Sequence, residues 1–407
     1  MLDGIGAPGT SAVVLLNGVP FAGWLALQIT QTFDQASGNC TLRMSPLPGV
    51  PLPVRVGDKA QIILAGQPAI TGHVHRVWGE HDIQSHVIQA QIRDKTQDAI
   101  DSTIGPKVDI DTPVTLAGVM GSTLAAMGLS SIGVVDKLGA APFAQGEKVS
   151  AAIDETGHRF MEAWARKRDA VLTTDGKGNF VIDQNRGERL AGAFIHYGLP
   201  DDPLNNCIKS QFGVEDFNRH NAQAVAGQKS PNDRKFWESR PKGEPLAQAR
   251  TVSNKYGIAY DPSVRKERRR HSRGGQGMQG RTPRESAKWR ANTMRAKSNE
   301  YVCTVAGFTT AGGQLWWPGK TVPVYDYWWD VSADLFLKEV EFSKDKSKGT
   351  ITQLKFSLED SFKSQAGRGS AAGRTGSSGL PGDPGEVHGK VSPSELVDDE
   401  TEMDVDE

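Results

Sequence analysis

The stretch Thr-Ile-Thr-Gln-Leu-Lys-Phe-Ser-Leu at residues 350–358 decides the fold class, because its side chains alternate between two faces. A repeat of two residues is typical of a β-strand with one buried face. The stretch Val-Ile-Gln-Ala-Gln-Ile at residues 87–92 has the same repeat, with Ile88, Ala90 and Ile92 on one side. The alternating pattern therefore predicts half-buried strands both in the first hundred residues and near residue 350.

Similar short runs fill the first hundred residues and return after residue 190. Turn-forming sequences such as Asn17-Gly18 and Ser37-Gly38-Asn39 separate them. The first region has runs at residues 11–16, 24–32, 40–44, 60–64 and 73–78, and the second at 301–308, 321–325, 335–342 and 350–358. Closely spaced strands joined by tight turns favour small barrels or sandwiches over a parallel sheet.

The chain between these regions has helical spacing. Apolar residues in 113–127 and in Glu155–Ala170 recur on one helix face, and a hairpin pattern follows at residues 171–182. We therefore predict a mainly β protein with an α/β insert, in which two small β-barrel-like domains flank an α+β domain. The predicted domains are 1–98 for the first barrel-like domain, 99–190 for the insert and 191–362 for the second barrel-like region. The last of these contains a basic polar insertion and helix at 228–298. Residues 363–407 are predicted to be a disordered tail that is Gly/Ser/Pro-rich and then acidic.

The composition limits the classes of protein. Hydrophobic residues make up 37% of the 407 residues and 45 are glycine, which is typical of many turns and of sequence outside any core. The net charge of −1 predicts no general attraction to nucleic acid or membranes. No apolar run reaches the roughly 20 residues that cross a bilayer, so we expect no membrane span. The N-terminal stretch lacks the basic residues of a secretory signal, so we expect the protein to start in a cytoplasm.

Few residue patterns suggest chemistry. His73 and His75 share a strand face near His81 and His86, but the sequence identifies no third metal ligand. There are two carboxylate pairs, Asp109 with Asp111 and Asp201 with Asp202. Nothing in the surrounding sequence would separate the pKa values within either pair, and the second pair is typical of a polar turn. Cys40, Cys207 and Cys303 are far apart and odd in number, which favours buried thiols over disulfides. We therefore predict a non-enzyme without catalytic residues, metal or cofactor.

The strongest local anomaly is a basic stretch. Its charged residues are Arg265, Lys266, Arg268, Arg269, Arg270 and Arg273. Thr282, Pro283 and Glu285 then form a capping-box pattern that predicts a helix to about residue 297. The stretch is a candidate interface or phosphate-contacting arm. It is alternatively a solvated loop, a contact for acidic protein surface, or a segment that the acidic C-terminal tail partly neutralises.

Aromatic residues concentrate in two segments near a turn and a strand. The candidates are Trp316, Trp317, Trp328 and Trp329. Large aromatic side chains near strand edges favour core or interface anchors. Carbohydrate binding is the less favoured alternative.

Four groups of segments, in order along the chain, resemble a known family. They are Val56–Ala60 with Thr71–Val74 and Ile88–Asp98, then Glu155–Ala170 with Gly178–Ile182, then Tyr260–Arg265 with the arginines that follow, and finally Val305–Phe308 with Gly313–Gly319 and Gly349–Leu354. The family is the baseplate hub family of contractile phage tails, in particular the Mu-like tail protein P group. Late-control D proteins and the hub region of secretion-system spike proteins are more distantly similar.

The resemblance implies a structural baseplate hub protein that forms a homotrimeric ring. Such a ring would join the tail tube to the central spike and let DNA pass during genome ejection. The implied partners are further copies of this chain, the tail spike protein, the tail tube or other baseplate proteins, and transiently DNA. The implied location is the virion's tail baseplate, with host cytoplasm during assembly. Two alternatives remain open: a nucleic-acid-binding protein that uses the basic arm 264–297, and a tail-associated cell-wall hydrolase.

Overall fold

The computed structural model describes residues 9–45, 54–81, 86–105, 108–143, 149–151, 154–166, 168, 170–216, 219–226, 256–273, 283–345 and 349–358. The predicted tail at residues 363–407 lies outside this set. So do residues 228–255 and 274–282 of the predicted basic insertion, including Thr282 of the capping box.

The first strand-rich region is an antiparallel sheet. Its strands are β1 (Ala12–Leu16), β2 (Val19–Pro20), β3 (Trp24–Thr32), β4 (Asn39–Met44), β5 (Lys59–Leu64), β6 (Gln67–His81) and β7 (His86–Asp94). They pair in the order β3-β4-β7-β6-β5-β1-β2. The alternation seen in the sequence is observed in β7, where Ile88, Ala90 and Ile92 are buried.

The α/β insert follows. It contains α1 (Gln97–Asp101), β8 (Asp109–Ile110), α2 (Leu116–Ala126), β9 (Val134–Asp136), β10 (Val149–Ser150), α3 (Gly157–Arg166), β11 (Val171–Thr174) and β12 (Phe180–Asp183). The predicted helices and hairpin are confirmed. Thr115 caps α2 through its Oγ1, which accepts a hydrogen bond from the Gly118 amide at 3.0 Å. The insert has its own core, in which Phe143 meets Trp164 edge to face with the ring centroids 4.9 Å apart.

The second strand-rich region contains β13 (Ile195–Tyr197), β14 (Cys207–Val214), then three strands of a smaller unit, β15 (Ala222–Ala226), β16 (Tyr256–Tyr260) and β17 (Arg269–Arg273). It continues with α4 (Pro283–Ser298), β18 (Asn299–Ala306), β19 (Thr321–Asp326), β20 (Val331–Asp345) and β21 (Gly349–Leu358). In β21, Thr352, Leu354 and Phe356 are buried.

One long strand joins the two strand-rich regions. The first part of β20 pairs with β19, and the part from Glu339 to Asp345 pairs antiparallel with β3, while β21 runs along the other edge. A β-bulge between Leu337 and Glu339 marks the change of partner. Both regions contribute to a single buried core. The mainly β prediction is therefore confirmed, while the domain boundaries stay predictions, since the sheet passes continuously between the regions.

The basic stretch is folded. β15 lies between β16, with which it pairs antiparallel, and β17, with which it pairs in parallel, and α4 packs on this sheet. The predicted helix is confirmed, and Arg269–Arg273 is a strand rather than a solvated loop, while contact of these residues with phosphate or a partner stays a prediction. Arg269–Arg273 hydrogen-bonds to β15 along one edge as a strand, and Ala287 of α4 packs with Val225 and Ala259 in a small buried core.

None of the helices in the described residues is long and apolar enough to cross a membrane.

Candidate assembly interface

An exposed group of large side chains lies at the end of the second strand-rich region. We call it the aromatic surface; its members are Tyr325, Tyr327, Trp328, Trp329 and Ile208. Trp328 is 59% exposed and Tyr327 54%. Scattered exposed apolar residues are normal, whereas several large exposed rings within the short segment Tyr325–Trp329 are typical of an interaction site.

Neighbouring strands hold the aromatic rings in place. The Tyr325 ring stacks on His196 of β13 with the centroids 4.7 Å apart. Trp329 lies beside Phe212 of β14, at a centroid distance of 6.2 Å, and its indole Nε1 donates to Ser210 Oγ at 3.1 Å. The end of β19 and the turn that follows it therefore contact both β13 and β14.

Asp326 organises this turn from below. Its carboxylate is fully buried, and Oδ1 accepts hydrogen bonds from the amides of Trp328 at 2.9 Å and Trp329 at 3.3 Å. Its Oδ2 accepts from the hydroxyl of Tyr301 at 2.8 Å. Because these bonds fix the backbone, the aromatic side chains lose less freedom when a partner covers them.

The predicted tryptophans separate into two environments. Trp328 and Trp329 lie on the aromatic surface, whereas Trp316 is 3% exposed and belongs to the core. Trp317 is half-buried and lies against Gly176 in the hairpin turn of the insert. Gly176 has a φ of +71° there, and a side chain at that position would meet the Trp317 ring.

The predicted basic residues lie on a different sheet from the aromatic surface. Arg265, Lys266, Arg269 and Arg270 are exposed, and Arg268 forms an ion pair with Asp216 at 3.0 Å. Arg273 ends β17. The structure thus gathers the basic residues along one strand and the turn before it.

The other chemical candidates are dispersed. His73 and His75 lie on β6, and the rings of His81 and His86 are 5.4 Å apart. Within the described ranges, no group of three or more His, Cys, Asp or Glu side chains could hold a metal ion. Asp202 forms the predicted polar turn, in which its Oδ1 accepts from the Leu204 amide and its Oδ2 lies 2.7 Å from Nε2 of His196. The hydrogen bond from the backbone amide of Leu204 and, to a smaller extent, the hydrogen bond with His196 lower the pKa of Asp202.

The three cysteines are buried free thiols, as predicted. Burial raises the pKa of Cys40 and of Cys303. Cys303 hydrogen-bonds to Cys207 across β14 and β18, and this contact lowers the pKa of Cys207. Deeply buried thiols of this kind favour a packing role.

Sequence reasoning missed Ile208, His196 and Asp326. The available signal was Asp326 immediately before the aromatic cluster, since Asp side chains commonly accept bonds from amides two residues ahead. No local sequence pattern predicts that Ile208 is exposed, because β14 lies at the edge of the sheet only in the folded structure.

Comparison with known proteins identifies the first region. Residues 11–94 match the family model described as Mu phage baseplate assembly protein GpP-like, N-terminal. Residues 11–94 are therefore similar to the N-terminal domain of that family, and we call them the GpP-like domain. The matched residues contain β1 to β7, so the family resemblance inferred from the sequence is confirmed for the strands that hold Thr71–Val74 and Ile88–Asp94.

The fold beyond the GpP-like domain is also found in solved structures. The chain is similar to the 43 kDa tail protein of prophage MuSo2 from Shewanella oneidensis, at 20% identity and a TM-score of 0.65, over 86% of this chain and 98% of that one. It is similar to a tail protein from Neisseria meningitidis MC58, at 18% identity and a TM-score of 0.66, over 86% and 96%. Prophage tail protein gp18 from Listeria monocytogenes is 9% identical, with a TM-score of 0.51, over 86% and 94%. No curated protein matches the sequence.

Proposed function

We propose that this protein is a non-enzymatic structural hub of a contractile phage tail baseplate. In this proposal it forms a homotrimeric ring, joins the tail tube to the central spike protein and lets DNA pass at genome ejection. It would assemble in the host cytoplasm and remain in the virion. The GpP-like domain and the tail-protein fold support a tail role.

The observation that carries the assembly proposal is the aromatic surface. Four aromatic rings lie exposed in and next to the turn that Asp326 fixes, and Ile208 is exposed on β14. Large aromatic side chains with few rotatable bonds are the usual anchors of protein interfaces. Covering them with a second copy would bury apolar area and provide part of the association free energy.

An open strand edge next to these rings supports the same proposal. β14 pairs with β18 on one side and, within the described chain, with no strand on the other. Its residues Ile208 and Val214 are exposed. Exposed edges of this kind are protected in most proteins, often by association with another subunit.

Light scattering coupled to size exclusion tests the proposal on the full chain and on Trp328→Ser/Trp329→Ser. The native protein should be a trimer, and the double variant should already dissociate at concentrations at which the native trimer stays intact, while its circular dichroism spectrum stays unchanged. Tyr260→Ser is the matched control, because Tyr260 is 55% exposed but lies in β16 of the other sheet. A native chain that stays monomeric at every soluble concentration, alone and with tube and spike proteins, would contradict the hub proposal.

A nucleic-acid-binding role is the second candidate, because exposed arginines line β17. It predicts oligonucleotide binding that weakens steeply with salt. Changing the arginines to glutamine should abolish that binding and leave the oligomer intact, so the two functions can be separated.

A further inference from the structure

In the described part of the chain, the sheet that contains the basic strand has one face covered by a helix and one open face with exposed side chains. α4 covers the face formed by Val225 and Ala259. In the strand register, Ala222 lies between Tyr260 and Arg269, and Ala224 lies between Ile258 and His271. Residues directly paired across strands share a face, so these side chains form the opposite one. Tyr260, Ile258, Arg269 and His271 are all exposed.

This open face is strongly basic along one edge. Exposed Arg265 and Lys266 lie in the turn before β17, and Glu267 is the single acidic residue between 265 and 273. Unlike Arg268, whose charge is paired with Asp216, Arg265 and Lys266 project from a turn at the sheet edge. Their positive potential is not general to the protein, since the whole chain has a net charge of −1. The ligand that fits this face is a polyanion with some apolar side chains to meet Tyr260 and Ile258.

The C-terminal segment of this same chain has that composition. Residues 395–407 contain eight acidic residues and no Lys, Arg or His. Leu396, Val397, Met403 and Val405 are interspersed among them. The segment therefore matches both the charge and the apolar character of the open face.

The point at which the chain leaves the fold makes the contact reachable. β21 ends at Leu358, and its Phe356 pairs with Tyr301 in β18, directly after α4. α4 packs against both β21 and β18, so the chain leaves beside the helix that backs the basic sheet. Residues 359–394 connect Leu358 to the acidic segment, and a Gly/Ser-rich chain of this length spans roughly 30–35 Å on average. Tethering of this kind gives an effective concentration in about the millimolar range.

We propose that the acidic segment 395–407 docks in cis on the basic open face of the β15–β17 sheet and masks it from other polyanions. The contact does not depend on the hub assignment, since it uses neither the aromatic surface nor a partner protein. Because it is largely electrostatic and partly exposed, it should weaken as salt shortens the range of the charges.

Zero-length carbodiimide crosslinking of the full chain tests the docking directly. Lys266 should form amide crosslinks to carboxylates of residues 395–407, and their yield should fall severalfold in high salt. Arg265→Gln/Arg269→Gln should reduce the yield comparably. Arg43→Gln/Arg55→Gln is the matched control, because it removes two exposed charges of the first region and should leave the yield unchanged. Mixing isotopically light and heavy chains should show crosslinks within one chain only. Crosslinks between chains, or none to Lys266, would overturn docking in cis.

The masking is tested with a full-length variant in which the eight acidic residues of the segment become Asn or Gln. This variant should bind a fluorescent single-stranded oligonucleotide at least about tenfold more tightly than the native chain at low salt. The gain should disappear when Arg265→Gln/Arg269→Gln is added. Equal affinities of the native and neutralised chains, including no binding by either, would overturn the masking.

Discussion

The carboxylate of Asp94 accepts a hydrogen bond from Thr174 Oγ1 at 3.1 Å, which joins the end of β7 to the hairpin of the α/β insert. The same fully buried carboxylate accepts bonds from the amides of Gly38 at 3.0 Å and Thr71 at 3.1 Å. Asp94 thus connects three separate segments through one side chain. Burial raises its pKa to about 6, although the three hydrogen bonds oppose that shift.

We expect Asp94→Asn to lower the free energy of unfolding by roughly 1–3 kcal/mol, because an amide cannot accept all three bonds. The folded pKa lies above the ordinary value of 3.8, so between about pH 6 and 3.8 the folded state binds more protons than the unfolded state. The native chain should therefore gain stability over Asp94→Asn as pH falls through this window. Urea unfolding midpoints across pH 4.5–7.5 measure the difference.

Asp34→Asn serves as the control, because Asp34 is exposed and lies close to β3 in the same region. It should leave the pH dependence of the native chain unchanged. A gap between native protein and Asp94→Asn that widens as pH rises would instead show that the hydrogen bonds outweigh burial.

Gly72 of β6 pairs with Asp94 of β7. A Cβ at this position would overlap the backbone carbonyl of Arg93, which cannot move without separating the strands. Gly72→Ala should therefore destabilise the protein by roughly 1–3 kcal/mol or more. Gly79→Ala is the matched control on the same strand, since its nearest contact would be Ile88 Cγ1 at 3.4 Å, and its effect should stay within about 1 kcal/mol. Equal losses for both variants would show that the Arg93 contact is unimportant.

The sequence predicted individual strands well and their partners poorly, for a physical reason. An alternation such as that at residues 350–358 depends only on which face is buried, so it is visible in one segment. The pairing of β20 with β3 joins residues about 300 positions apart, and no local pattern specifies it. Gly72 illustrates the same limit: its segment was recognised, but the clash that requires glycine involves a carbonyl of another strand.

The candidate site shows this limit again. Trp316 and Trp328 belong to similar aromatic clusters, and sequence reasoning left both as core or interface candidates. Their different burial depends on the turn that Asp326 fixes and on the edge position of β14. The basic residues were located correctly by composition, but their place in a strand required β15 as a partner.

Trp316 and Trp328 should therefore respond differently to truncation. Trp316→Ala should cost about 3–5 kcal/mol, because it leaves a large cavity in the core. Trp316→Phe should cost much less, since the indole N–H has no hydrogen-bond acceptor among the described residues. Trp328→Ala should change the stability of the isolated subunit by at most about 0.5 kcal/mol. Chemical unfolding monitored by circular dichroism checks all three; a costly Trp328→Ala would place that side chain in the subunit core.

Arg219 and Asp261 form an almost fully buried ion pair that supports the small basic unit. Arg219 Nη2 lies 2.9 Å and Nε 3.2 Å from Asp261 Oδ2, and the side chain of Ser263 contacts both residues. Removing one partner of such a pair leaves a buried charge without compensation, which costs about 3–5 kcal/mol. Removing both charges avoids that penalty.

Arg219→Met should therefore open the β15–β17 sheet locally. Amide hydrogen exchange in β15 and β16 should accelerate by roughly 10²–10³-fold, while the amides of β20 and β21, which belong to the other core, keep their native rates. Arg219→Met/Asp261→Asn should restore much of the protection, because no unpaired charge remains. Equal acceleration in β20 and β21 would show that the basic unit unfolds only with the rest of the chain. If the double variant does not recover slow exchange, packing of the Arg219 side chain, rather than its charge, holds the sheet together.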